Sequence, residues 1–247
     1  MQIGVQSALW SVSSLTDWTA EPKCFSNFDT EPKQCEKKPS ILLYTAAAVC
    51  PIVIDPPTVV VKYGDPVSAN CTATRTTRGM GWEASVGSTG IKTGPQSLLW
   101  GVSNLTDWTV EPTCFSNFDT DPKQCGKKLN ISLYKYPDSV SISSVGHTGP
   151  MEEGRQYWLL CEVKSIAPVQ YLSVNWYREG ALIYNEIFPE FTARTPVDVS
   201  HPLLITPSCT NGGVHYMCEA ELKLGPGGPQ PNHVMKSEIL RATMLTS

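Results

Sequence analysis

Several segments that would send the reading elsewhere are missing from this chain. No apolar run reaches the ~20 residues that a membrane-crossing helix needs. The nearest, 41–54, is too short and contains Thr45 and Pro51. The opening Met1-Gln2-Ile3-Gly4-Val5 has neither the basic start nor the apolar centre of an export signal. The four histidines, His147, His201, His215 and His233, form no HExxH pair, and no GxSxG turn occurs. No two cysteines have the CxxC spacing, which removes zinc ribbons. Nor is there an excess of positive charge. Nineteen Lys and Arg stand against 23 Asp and Glu, so the chain lacks the concentrated basic face that nucleic acid or an anionic membrane would require. Residues 87–93 carry the glycines and lysine of a phosphate loop, but Ile91 separates Gly90 from Lys92 and no helix follows; the stretch reads as a flexible connection between strands. The expectation is a protein that is not an enzyme and takes no cofactor or small-molecule substrate.

What the chain does contain is nine cysteines, 20 prolines and many short β-branched runs. That mixture suits an oxidised, all-β, extracellular protein. Its 247 residues are enough for two ordinary domains. The export signal and membrane anchor are expected elsewhere. Lys37-Lys38, Ile41-Leu42-Leu43 and Ala46-Ala47-Ala48 imitate a signal in mid-chain, but the stretch reads better as a strand and linker.

An internal repeat organises the rest. Residues 6–44 and 96–134 align without a gap at an offset of 90, with 29 of 39 positions identical. The two copies are separated by 51 unmatched residues, 45–95, which supply the front half of a domain whose back half is the second copy. Residues 1–49 are therefore expected to be a partial copy of the back half of domain one. They lack the strands against which Leu9, Trp10, Trp18 and Phe28 would pack, and ~50 residues cannot offset their ordering entropy alone.

The complete unit, 50–135, alternates short strands with turns. Val59-Val60-Val61 ends at Gly64-Asp65-Pro66, and Val67-Ser68-Ala69-Asn70-Cys71 resumes with alternation. Six or seven such strands, with Cys71 and Cys114 placed to bridge them, describe an immunoglobulin-like sandwich. Residues 136–247 repeat the pattern with better landmarks: Cys161, then Trp176, then Tyr216 two residues before Cys218. Cys50 and Cys125 could form a third bridge, while Cys24, Cys35 and Cys209 are left over, since connectivity does not follow from sequence. Each bridge would close a loop of 43 to 75 residues, on the order of 4 kcal/mol apiece. Sequons at Asn70, Asn104 and Asn130 all fall in the first complete unit and favour glycosylation and secretion. In the partial copy Ser14 takes the place of Asn104.

From Cys50 to about Ala242 the chain resembles the first two domains of the intercellular adhesion molecule family, fish-type members above all. The resemblance is carried by Val59-Val60-Val61-Lys62-Tyr63-Gly64-Asp65-Pro66-Val67, Gly81-Trp82-Glu83-Ala84-Ser85, Cys114-Phe115-Ser116-Asn117 and Cys218-Glu219-Ala220-Glu221-Leu222. The join Leu133-Tyr134-Lys135-Tyr136-Pro137 is also similar. It implies the ectodomain of a cell-surface adhesion protein that is bound by a leukocyte β2-type integrin. In that family an acid at the end of strand C of domain one ligates the integrin's Mg²⁺, and Glu83 stands in that place. Mg²⁺ is a hard cation that takes carboxylate oxygen, and the metal would belong to the partner. Thr113, Phe115, Asn117 and Gln124 match the family's flanking contacts. Two departures stand out. Arg75 and Phe118 occupy the places of the family's second cysteine pair in domain one, and Ser88 stands near the position of a basic residue after the acid.

Apart from the resemblance, Glu83 reads as a solvated acid at a strand end. The alternatives from other classes are a recognition receptor that binds another surface protein through its sheet faces without metal, and a non-functional duplicated fragment. Limited proteolysis of the purified chain should remove residues 1–49 before any other region is cut. Equal resistance of that segment, followed by mass spectrometry, would contradict its reading as a half domain.

Overall fold

Two tryptophans meet in the centre of the first sandwich and fix which way its strands face. The computed structural model describes residues 49–208 and 213–245. In the first part of it lie strands β1 (Ile52–Asp55), β2 (Thr58–Lys62), β3 (Val67–Ala73), β4 (Thr77–Glu83), β5 (Lys92–Thr93), β6 (Ser97–Val102), β7 (Thr113–Phe118), β8 (Gln124–Lys128) and β9 (Asn130–Tyr134). Sheet β1-β3-β6 packs against sheet β5-β4-β7-β8. Pro56 and Pro57 have no N–H to continue the ladder that β1 makes with β3, so the chain leaves that sheet and β2 resumes parallel to β9. This break, together with the two-residue β5, brings the strand count to nine, above the six or seven expected.

Trp82 of β4 and Trp100 of β6 are fully buried, with ring centres 6.1 Å apart. Each indole N–H is satisfied, Trp82 by the Leu98 carbonyl at 2.9 Å and Trp100 by that of Val86 at 3.1 Å, which is what makes burial of so large a group favourable. The Cys71–Cys114 disulfide ties β3 to β7 across the same core, and Cys50–Cys125 ties the approach to β1 to β8.

Arg75 and Phe118 prove to be neighbours. The guanidinium lies over the Phe118 ring, 4.4 Å from its centre. It also donates to the carbonyls of Asp121 at 2.8 Å and of Thr120 and Pro122 at 2.9 Å. A planar cation stacked on an aromatic face and forked onto a turn thus joins the β3–β4 connection to the β7–β8 turn.

The second sandwich comprises β10 (Ser139–Val145), β11 (Tyr157–Ile166), a 3-10 turn at Val169–Tyr171, β12 (Leu172–Arg178), β13 (Ala181–Ile187), β14 (Val197–Ile205), β15 (Val214–Leu222), β16 (His233–Lys236) and β17 (Leu240–Ala242). Sheet β10-β11-β14 faces sheet β13-β12-β15-β16, with β17 also on β15. Cys161 pairs with Cys218, Trp176 lies directly across from Cys218, and Tyr216 is buried beside them. The described residues are tandem immunoglobulin-like sandwiches, and their regular structure is all strand apart from the one 3-10 turn. The partial repeat, with Cys24 and Cys35, lies outside the described residues, as does Cys209.

Almost no linker separates the two cores. Leu133 belongs to the first and Tyr134 to the second. Lys135 exchanges both backbone hydrogen bonds with Ala167, and its Nζ is held by Asp138 and Ser165. Val60 of β2 packs on the second core, and Arg194 reaches Glu111 of the first sandwich at 3.3 Å.

Two consequences are measurable. Arg75→Met keeps the apolar stem but loses the fork, and should lower stability by roughly 2 kcal/mol in urea unfolding. A loss below about 0.5 kcal/mol would show the clamp to be incidental. His201 accepts a hydrogen bond from Trp176 Nε1 at 3.0 Å, and burial holds its pKa below the ordinary value despite Glu186 nearby. Because the folded pKa is depressed, its contribution is complete above the unfolded value near 6.5 and is lost as pH falls from there toward the folded value. His201→Gln should flatten the fall in urea midpoint between about pH 7 and 5 relative to the native chain.

Candidate functional site

Strand alternation builds the outward face of sheet β5-β4-β7-β8 around the buried Trp82. Side chains point to opposite faces in turn. With Trp82 and Met80 inside, Gly79, Gly81 and Glu83 face outward. On β7 the inward residues are Cys114, Ser116 and Phe118, leaving Thr113, Phe115 and Asn117 outward. The register then sets the rows. Glu83 lies opposite Thr113, Gly81 opposite Phe115, and Gly79 opposite Asn117, which in turn lies opposite Gln124 of β8. All five residues singled out in the sequence therefore share one face of one sheet.

Glu83 is exposed at the very end of β4. None of the ion pairs among the described residues includes it. The one cation in its row, Lys128, is neutralised by Glu111 at 2.9 Å. Lys128 first, and then Arg194, hold the Glu111 carboxyl below the usual range. Beyond Glu83 the chain is anchored rather than loose. The Ser85 hydroxyl donates to Asp107 Oδ2, while Asp107 Oδ1 accepts from the Thr109 N–H at 2.8 Å and its hydroxyl at 2.7 Å. The Ser85 bond is the leading cause of a lowered Asp107 pKa, so that carboxylate stays ionised and the clamp persists at neutral pH.

Two features of this face were not foreseen. The 87–94 connection does not run free. Thr89 N–H donates to the Trp82 carbonyl at 3.1 Å, Trp82 N–H donates back to the Thr89 hydroxyl at 2.9 Å, and the Ser88 hydroxyl adds 3.0 Å to the same carbonyl. Lys92 and Thr93 then pair with Met80 and Gly79 as β5. The second feature is the glycine row that this packing requires. A Cβ on Gly81 would sit 2.5 Å from the Gly90 carbonyl oxygen and 2.6 Å from Phe115 Cζ. Glycine at the two outward positions nearest Glu83, 81 and 79, was the available signal, since glycine inside a strand marks close approach by other backbone.

The three sequons lie elsewhere. Asn70 is on β3, half-buried, with its Oδ1 accepting from Ser97 at 2.8 Å; Asn104 is exposed in the β6–β7 connection, and Asn130 is exposed at the start of β9. None is on β4, β5, β7 or β8. Among the described residues no group of acids, histidines and cysteines is arranged to hold a metal within the chain, and no helix is long and apolar enough to cross a membrane.

No family model matches the chain. Over 177 residues it is 22% identical to vascular cell adhesion protein 1 of Canis lupus familiaris, which covers 68% of this chain but only 23% of that protein. Among solved structures it is similar to the ICAM-5 D1-D4 ectodomain fragment, with a TM-score of 0.60 and 20% identity over 79% of this chain and 51% of that one. At such identity the structural likeness shows the fold alone.

Proposed function

We propose that the chain is part of a cell-surface adhesion ectodomain, with Glu83 the ligand that completes the Mg²⁺ site of a leukocyte β2-type integrin. Residues 50–135 and 136–247 form its first two domains in this reading, and residues 1–49 a partial copy of the first with no binding role. The observation that carries it is an exposed carboxylate without an ion pair at the end of β4, on a sheet face that holds no sequon. Similarity to two adhesion proteins supports the general class.

The chemistry follows from the residues. A carboxylate already paired to Lys or Arg would have to give up that partner before ligating a metal; Glu83 has no such cost. A hard divalent cation accepts its oxygen directly, and the cation's own protein supplies the remaining ligands. The anchored Ser85 keeps the carboxylate at the strand end, so less order is lost on association. Thr113, Phe115, Asn117 and Gln124 extend the contact sideways as a neutral surface, with Phe115 the large apolar member.

Glu83→Gln preserves shape and removes charge. Adhesion of leukocytes bearing β2-type integrins to the immobilised chain should fall at least tenfold with this change, and EDTA should abolish adhesion to the native chain. Adhesion that survives both treatments points to the metal-free alternative, recognition through sheet faces alone.

A further inference from the structure

We propose that Ile91 is a specificity-determining contact of the Glu83 site, held against the sheet by the glycine row of β4 and met by an apolar rim around the partner's metal. This rests on the integrin reading above and deepens it.

Ile91 is 62% exposed, yet it is not at the tip of a free loop. Its Cγ2 lies over Gly79, 3.0 Å from where a Cβ would be, and the carbonyl of Gly90 beside it lies over Gly81. The connection that carries it is fastened on both sides. Ser88 and Thr89 bond to the Trp82 backbone, and Lys92 and Thr93 pair with β4. Gly87 and Gly90 adopt left-handed backbone, which lets so short a connection turn back over its own strand.

Glycine at alternate positions in a strand weakens it, because it has no side chain to pack and more freedom to lose. Here that loss seats an isoleucine whose side chain is then left mostly in water. Stability does not explain the arrangement, whereas a contact surface does. Phe115 leans over Gly81 from the neighbouring strand, and its Cζ and the Gly90 carbonyl oxygen lie 2.6 Å and 2.5 Å from where a Gly81 Cβ would be, so Phe115 and the connection that carries Ile91 share the space above the glycine row. Phe115 lies one row from Glu83 and Ile91 covers the row beyond it, ~13 Å along the strand at the ordinary rise.

The occupant follows from charge and shape. Among the outward residues Thr113, Phe115, Asn117 and Gln124 are uncharged, Lys128 of the Glu83 row is matched by Glu111, and Glu83 is the acid without an ion pair; Lys92, exposed on β5 beside Ile91, is the nearby cation outside the ion pairs. That suits a partner that presents a single cation surrounded by apolar surface. A basic partner would find only one charge, and an acidic one would meet Glu83.

The test compares the intact chain with Ile91→Ser, Ile91→Leu and Leu99→Ser, coated at graded densities and presented to leukocytes bearing β2-type integrins in Mg²⁺ and in EDTA. Leu99 is equally exposed at 62% but lies on the opposite sheet, so Leu99→Ser controls for loss of any surface hydrophobe. Ile91→Ser should require about tenfold more coated protein for half-maximal Mg²⁺-dependent adhesion, as expected for one apolar side chain left unburied. Ile91→Leu should restore most of the loss, and Leu99→Ser should change nothing. The inference falls if Ile91→Ser adheres like the native chain while Glu83→Gln does not, an outcome that leaves the Glu83 reading standing. It also falls if the Ile91→Ser loss is equal in EDTA, or if Leu99→Ser loses as much. Failure of Glu83→Gln to weaken adhesion overturns the Glu83 reading and this inference together.

Discussion

Burial of Trp82 is the constraint from which the candidate site follows. A residue of that size, with its N–H committed to the Leu98 carbonyl, cannot exchange places with its neighbours. The disulfide of its cross-strand partner Cys114 then holds β7 in the matching register. Once these two positions are inside, parity decides the rest. Each outward residue on β4 and β7 is where it is because a one-residue slip would put Glu83 into the core and Trp82 into water. The site therefore depends less on loop chemistry than on a core contact several ångströms beneath it.

The join between the sandwiches extends that rigidity. Consecutive residues, Leu133 and Tyr134, serve different cores, so neither sandwich can rotate without disturbing the packing of the other's last or first strand. Lys62 lies over the Tyr136 ring, which stacks on His233, adding contacts from β2 and β16. An exposed acid on such a unit is presented on a stiff support, which limits the ordering that association must offset.

Much of this was legible in the sequence because it is written in strongly constrained residue types. Cysteine and tryptophan spacing marked the sandwiches, and Glu83 read as a solvated acid at a strand end. The family resemblance supplied the flanking residues, which composition alone would not have singled out. What stayed hidden were contacts between segments distant in sequence. Arg75 and Phe118 read as a departure from the family pattern because nothing local announces that a guanidinium and a ring 43 residues apart will stack. The 87–94 connection read as flexible because its glycines are equally compatible with freedom and with close packing. Only the opposing glycines on β4 distinguish the two, and they matter only once the loop is known to fold back.

The Arg75–Phe118 clamp also changes how the first sandwich comes to be made. A covalent bridge at that place would bring two more thiols into a described chain that already has six, all paired. Eight cysteines admit about a hundred complete pairings and six admit about fifteen. A chain whose repeat brings Cys24 and Cys35 besides, in sequence surroundings nearly identical to those of Cys114 and Cys125, faces an unusual sorting problem during oxidation. Holding the β7–β8 turn with charge and aromatic contact removes that corner from the sorting altogether. It can form and re-form without an oxidant or an isomerase, leaving the oxidative machinery fewer wrong partners to undo.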